Sequence, residues 1–201
     1  MNVDSNAKYI KVWDILVRIF HWSLVFSFLA AFVTEDIEWL HIYFGYVVLF
    51  LVLFRVLWGF VGTKYALFKD FVKRPSVVIE YVKSIINTNS KRYIGHNPAG
   101  GVMVLALLFS LFMTSMTGIK LQPPEERIFA NSGITTVVIG NAYADDDHSE
   151  YEEDELWEEV HEFFANTTMF LVFLHILGVI ASSAMHNENL IKSMITGKKK
   201  K

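Results

Sequence analysis

Four of the seven histidines in this 201-residue chain, His21, His41, His161 and His175, sit in or at the ends of long apolar stretches. An ionisable side chain in such a stretch is costly and is functional by default. One imidazole alone can be satisfied by a backbone carbonyl or can snorkel to an interface, but four together are harder to dismiss. In "HEFFANTTMFLVFLH" two of them are separated by fourteen positions. On a helix that interval is about 40° short of whole turns and ~21 Å along the axis, so both rings point to one face at two depths. The chain has no cysteine. That excludes covalently attached haem, iron-sulfur clusters, cysteine zinc sites and disulfides, and leaves histidine or carboxylate as metal ligands.

The elements that must position these rings are membrane spans. Hydrophobic residues make up 53% of the chain and aromatic residues 15%, with a mean hydropathy of +0.34, which is too apolar for an ordinary soluble domain. Segments at about 15–34, 40–61, 100–119 and 162–184 each approach the roughly 20 apolar residues that cross a bilayer core. The first is long, lacks a small-residue cleavage site and carries Arg18 and His21, so it reads as a retained span. The expected fold is all-α, an integral membrane four-helix bundle forming a single domain.

The net charge of −3 hides an alternation. Lys8, Lys11 and Arg18, the basic residues from Arg55 to Arg92, and Lys192 with Lys198 to Lys201 fall on one side of the spans. Glu35, Asp36, Glu38, Asp145 to Asp147 and the acids from Glu150 to Glu162 fall on the other. The positive-inside rule makes both termini cytoplasmic and the 120–160 loop periplasmic and acidic, as in a multi-pass protein of a bacterial inner membrane. Between spans two and three, "RPSVVIEYVKSII" starts on Pro75 and carries an apolar stripe, which predicts a short interfacial helix on the cytoplasmic leaflet. His148 lies within the acidic run and reads as a solvated loop residue.

This topology sorts the histidines by depth. His41 opens span two just after the outer turn, level with His161; His21 is seven residues into span one, level with His175. Two separated two-ligand stations with no carboxylate or third nitrogen suit neither a zinc site nor a single proton relay. Two bis-histidine haem b groups stacked along the bundle would need such stations. Arg55 follows His41 by fourteen residues and Arg18 precedes His21 by three, which puts both near the inner haem, where each could pair with a propionate or simply snorkel to the interface. Gly45 and Gly178 would relieve crowding against a flat macrocycle, or simply allow close helix packing.

"RIFHW", "H…G…R..WGFVG", "GHNPAGG" and "LWEEVHEF…LHILGVIASSAMHNENLIKSMITGKKK" together resemble the prokaryotic cytochrome b561 and Ni,Fe-hydrogenase b-type cytochrome superfamily. The resemblance covers the chain apart from part of the 120–155 segment. It implies four core helices, His41 and His161 as axial ligands of an outer haem and His21 and His175 of an inner one. It also implies electron transfer between the quinone pool and a redox partner outside the membrane. His96 and His186 match recurrent family positions; they could line a quinone pocket or meet inner-haem propionates, or be ordinary interfacial histidines.

The expected partners are therefore the lipid bilayer, a quinone or quinol, and a periplasmic cytochrome c or an oxidoreductase subunit, with no nucleic acid and with a homodimer left open. The acidic outer side suits a basic cytochrome c better than a hydrogenase-dedicated role, and would repel superoxide in a superoxide–quinone oxidoreductase. A haem-free membrane anchor or transporter would have to explain the depth-matched histidines without an intramembrane carboxylate.

Overall fold

The computed structural model describes residues 9–87, 90–122 and 147–200. Four long helices dominate: α1 (Ile15–Val33), α2 (Glu38–Val61), α5 (Pro98–Lys120) and α6 (Asp147–Met185). Between α2 and α5 lie the short α3 (Phe68–Phe71) and α4 (Pro75–Ile86), and α6 is followed by α7 (Leu190–Thr196). Two three-residue strands, β1 (Tyr9–Lys11) and β2 (Lys198–Lys200), pair antiparallel. Four helices are long and apolar enough to cross a membrane, over Ile15–Val33, Glu38–Val61, Pro98–Lys120 and Glu155–Met185. The chain is an all-helical membrane bundle, as its composition implied.

Local chemistry explains the boundaries. Asp14 caps α1 by accepting the Val17 N–H at 2.9 Å, and Asn97 caps α5 by accepting the Gly100 N–H at 2.6 Å just before Pro98 at the first helical position. The turn after α1 is closed by Thr34, whose N–H and hydroxyl both donate to the Ala30 carbonyl, at 3.0 and 2.7 Å. α7 starts on an Asn189 cap and ends on Gly197, whose φ of 76° is the left-handed conformation that glycine adopts at no steric cost. Its carbonyl accepts from the N–H groups of Val12 and Trp13, so the C-terminal turn is stitched to the residues preceding α1.

Direct packing runs α1 against α2, α2 against α5, and α5 against α6. Phe20, Val48, Val52, Leu108 and Leu111 form the core shared by the first three of these helices. A second cluster, at the start of α1, joins Val12, Trp13, Val17 and Ala66. In a bilayer, helices gain little from removing apolar surface from lipid, so shape fit and interhelical hydrogen bonds decide what stays together. α6 is held to α5 in that way. Ser110 and Thr168 share a hydroxyl hydrogen bond of 2.7 Å, and Thr168 is 0% exposed. The opposite surface of α6 exposes Phe170, Phe173, Ile176 and Ile180, which makes it a lipid-facing helix.

α6 begins at Asp147 and not at the membrane surface. The acidic residues from Glu150 onward thus belong to a helical extension of the fourth span, where the sequence reading has loop up to residue 160. Residues 123–146 of that loop fall outside the described residues, and so does the side chain of His148. The β1–β2 pair was also missed, because the lysine run after Gly197 carries no strand signal of its own.

Candidate functional site: two histidine pairs

The outer pair is built from the first turn of α2, which carries His41, and the interior of α6, which carries His161. The last carbonyls of a helix lack intrahelical partners. Ala31 is one of these in α1, and its oxygen lies 2.9 Å from His41 Nδ1 across the short turn. A carbonyl can only accept, so Nδ1 carries the proton and Nε2 keeps a free lone pair. His161 is arranged the same way on α6. Its Nδ1 lies 3.0 Å from the Thr114 carbonyl and 3.1 Å from Thr117 Oγ1. The centroids of the two rings are 6.1 Å apart and their planes lie 80° to each other, edge to face.

That separation has a chemical meaning. Two imidazole–metal bonds of about 2 Å, with about 1 Å more from each nitrogen to its ring centre, put trans imidazoles about 6 Å apart. Among the described residues no three of His, Cys, Asp or Glu converge on one point. The donor set therefore suits a metal that brings its other equatorial ligands with it, as a haem does.

At the other end of the bundle the histidines keep different company. His21 and His175 lie within electrostatic reach of each other. Among the described residues four buried nitrogens at this end have no hydrogen-bond partner: Arg18 Nε, His21 Nδ1, Arg55 Nη1 and His96 Nδ1. Arg55 is 3% exposed; its Nη2 donates to the Ala66 carbonyl at 3.1 Å, and its guanidinium lies over the rings of Phe68 and Phe71. His96 is clasped between Trp13 and Phe71, with ring centroids 4.7 and 4.6 Å away. Burial, with Arg55, Lys199 and His175 adding positive charge around it, pulls its pKa down to about 3. Buried donors left without acceptors cost about 1–3 kcal/mol each and call for an anionic or acceptor-rich occupant.

The residues from 12 to 197 match the model of a family described as prokaryotic cytochrome b561. The chain belongs to that family. No curated protein is significantly similar to it. This prokaryotic cytochrome b561 is a multi-pass membrane protein with the b-type haem and the electron-transfer role of its family.

The residues present fit a haem at both levels. At the outer level the rings of His41 and His161 stand 6.1 Å apart with each Nδ1 committed to a carbonyl, which leaves each Nε2 as the atom that would hold the metal. At the inner level the orphaned nitrogens of Arg18, Arg55 and His96 form a cationic and donor-rich rim beside His21. A Cβ built on Gly45 or on Gly178 would meet nothing within 4 Å, so there is open space beside each glycine, one turn from His41 and from His175.

One expectation from the sequence needs adjustment. Arg18 is not wholly free for an anion, because its Nη1 donates to the Ile195 carbonyl at 2.5 Å and so also holds α7. His186 closes α6, its N–H donating to the Ser182 carbonyl at 3.2 Å before Asn187 turns the chain at φ 49°, and its ring is 3.4 Å from Ser90 Oγ, a neighbour different from those of His96. Thr114, Thr117 and Gly118 were missed, although "TSMTG" is a conspicuously polar and small run inside an apolar span.

Proposed function

We propose that this cytochrome holds two b haems, one between His41 and His161 and one between His21 and His175, and carries electrons between the quinone pool and a redox partner on the acidic side of the membrane. The observation that carries the reading is the outer pair, whose two Nδ1 atoms are each committed to backbone carbonyls while their rings stand 6.1 Å apart. Haem b bound there supplies reversible one-electron chemistry. The protein's part is to orient each imidazole, exclude water from the gap and hold the inner carboxylates.

For that last task the residues are Arg55 first, through Nη1, then Arg18 through Nε and His96 as a neutral ring. His186, at the turn after α6, is left to the surface beside Ser90. By the positive-inside rule the basic residues at this end support a cytoplasmic location for both termini in a bacterial inner membrane. α4, with Val77, Ile79 and Val82 exposed and Tyr81 turned inward, then lies along the cytoplasmic leaflet. At the opposite end Glu35, Asp36, Glu38, Glu155, Glu158, Glu159 and Glu162 are exposed around the outer pair. Such a surface steers a basic partner such as a cytochrome c.

The test is haem content per chain from a reduced-minus-oxidised spectrum of the purified protein. Wild type gives about two b haems per chain, as two bis-histidine pairs require. His161→Ala and His175→Ala each lose one and keep the other. A colourless protein, or retention of both haems in His161→Ala, ends the reading.

A further inference from the structure

The two imidazoles of the outer pair are not held alike. His41 Nδ1 has one acceptor, the Ala31 carbonyl. His161 Nδ1 has two, the Thr114 carbonyl at 3.0 Å and Thr117 Oγ1 at 3.1 Å. The direction of the second bond follows from the rest of the Thr117 hydroxyl's contacts. That hydroxyl is buried, and its proton has two carbonyls within reach, Met113 at 2.9 Å and Thr114 at 3.0 Å. With its own proton spent on the helix backbone, the oxygen presents a lone pair to the imidazole, so the His161 N–H is shared between two acceptors.

The next residue makes that approach sterically feasible. A Cβ built on Gly118 would stand 3.0 Å from His161 Cε1 and 3.3 Å from Nδ1. Any larger residue would push the ring away from both Thr114 and Thr117. The run Thr114, Thr117, Gly118 is one turn of α5 facing one imidazole, with one carbonyl, one hydroxyl and one gap.

We propose that Thr117 is a positioning residue for His161, tuning the outer haem's reduction potential downward through the second hydrogen bond, with Gly118 admitting the ring. The inference rests on the haem reading above. Acceptors on Nδ1 raise the basicity of Nε2, and a stronger donor favours the oxidised metal. Loss of the hydroxyl alone therefore raises the potential of one haem and leaves the other where it was.

The experiment is an equilibrium redox titration of the full-length protein in detergent, followed in the visible α-band, for wild type, Thr117→Val, Thr117→Ser and Gly118→Ala. Valine keeps the shape without the hydroxyl, and serine keeps the hydroxyl. The component absent from His161→Ala identifies the outer haem. In Thr117→Val the midpoint of that component rises by up to ~59 mV, which at a fixed ambient potential lowers its oxidised-to-reduced ratio by up to about tenfold for one electron. Thr117→Ser titrates like wild type, and Gly118→Ala loses the outer haem or shifts the same component.

An unmoved potential in a Thr117→Val protein that keeps both haems overturns the proposal. So does an equal shift in the valine and serine variants. If Thr117→Val loses the outer haem altogether, a wild-type titration for Thr117→Ser supports the positioning role and loss in both refutes it. Failure of the haem reading is separate, since it shows already in wild type or in His161→Ala.

Discussion

Asp14 ties the start of α1 to the end of α2, and replacing it should loosen His21 before it loosens His41. Its carboxylate caps α1 through the Val17 N–H at 2.9 Å and accepts from the Thr63 hydroxyl at 2.5 Å and from Trp58 Nε1 at 3.3 Å. Removing a helix cap costs about 1 kcal/mol, and each lost side-chain bond to a half-exposed donor adds about 0.5–1.5 kcal/mol. Asp14→Ala therefore destabilises the packed end by roughly 2–4 kcal/mol, or a midpoint lowered by roughly 4–16 °C for a chain of this size. Asn at this position still caps, so Asp14→Asn should recover about half the loss.

The same carboxylate gives an acid dependence. Burial pushes its pKa up, but the bonds from Thr63, Val17, Trp58 and Leu16 outweigh burial and hold it below the usual carboxylate value. A depressed folded-state pKa gives stability that is complete at neutral pH and is lost as pH falls below about 4 toward the folded value. The assay is thermal loss of the haem absorbance in detergent at neutral and acid pH, with the inner and outer components resolved by their bands. An Asp14→Ala midpoint within about 2 °C of wild type, less than 1 kcal/mol on this scale, would refute the reasoning. So would equal loss of the two components.

Two other outcomes follow from buried polar groups. His96 is neutral in the folded protein because its pKa is pulled down to about 3; the unfolded chain takes up a proton first, near 6.5, so stability falls as pH drops through the interval between, by up to about 1.4 kcal/mol per pH unit. Detergent melts of His96→Gln from pH 7 to pH 4 should be flatter than wild type, and parallel curves would count against it. Thr168→Val removes the hydroxyl shared with Ser110 and should cost about 0.6 kcal/mol and at most about 2 kcal/mol, measured as relative unfolding in mixed micelles; a larger loss would mean that the bond is not mere interhelical glue.

The bundle was legible because spans are long, apolar and unambiguous, and the predicted limits fall within a few residues of α1, α2 and α5. The outer histidine pair was legible too, since helical spacing and charge alternation are enough to level His41 with His161. What could not be read is whatever depends on how far one helix slides along another. The Ala31 and Thr114 carbonyls that hold the outer rings are backbone atoms, invisible to a reading of side-chain types. Arg18 sits on Ile195 and Lys199 on Glu188 because the chain ends fold back over α1, contacts more than ten residues apart in sequence that no periodicity encodes.

A seven-residue step explains why the interval is fourteen and not less. Seven residues advance a helix ~10.5 Å and return to within about 20° of the same face. On α6 that step runs His161, Thr168, His175; on α2 it runs His41, Val48, Arg55; on α5 it relates Ser110 to Thr117. The outer layer thus holds His41, His161 and Thr117, with His161 beside each of the other two. The middle layer holds Val48, Thr168 and Ser110, all buried, with the two hydroxyls bonded to each other. Arg55 and His175 stand one step further, at the end where Arg18 and His96 keep unpaired nitrogens. One histidine per two steps leaves a dry, packed layer between the pairs, so neither group of imidazoles can borrow the other's ligands and each level is defined by its own surroundings. Those surroundings differ in kind, neutral carbonyls and a hydroxyl at one level and buried cations at the other. Cations favour the reduced, less positive state of a metal, and acceptors on its ligands favour the oxidised one. The same fold that spaces the two pairs therefore gives them unequal surroundings, and on the two-haem reading the redox titration should resolve two midpoints with the inner one the higher.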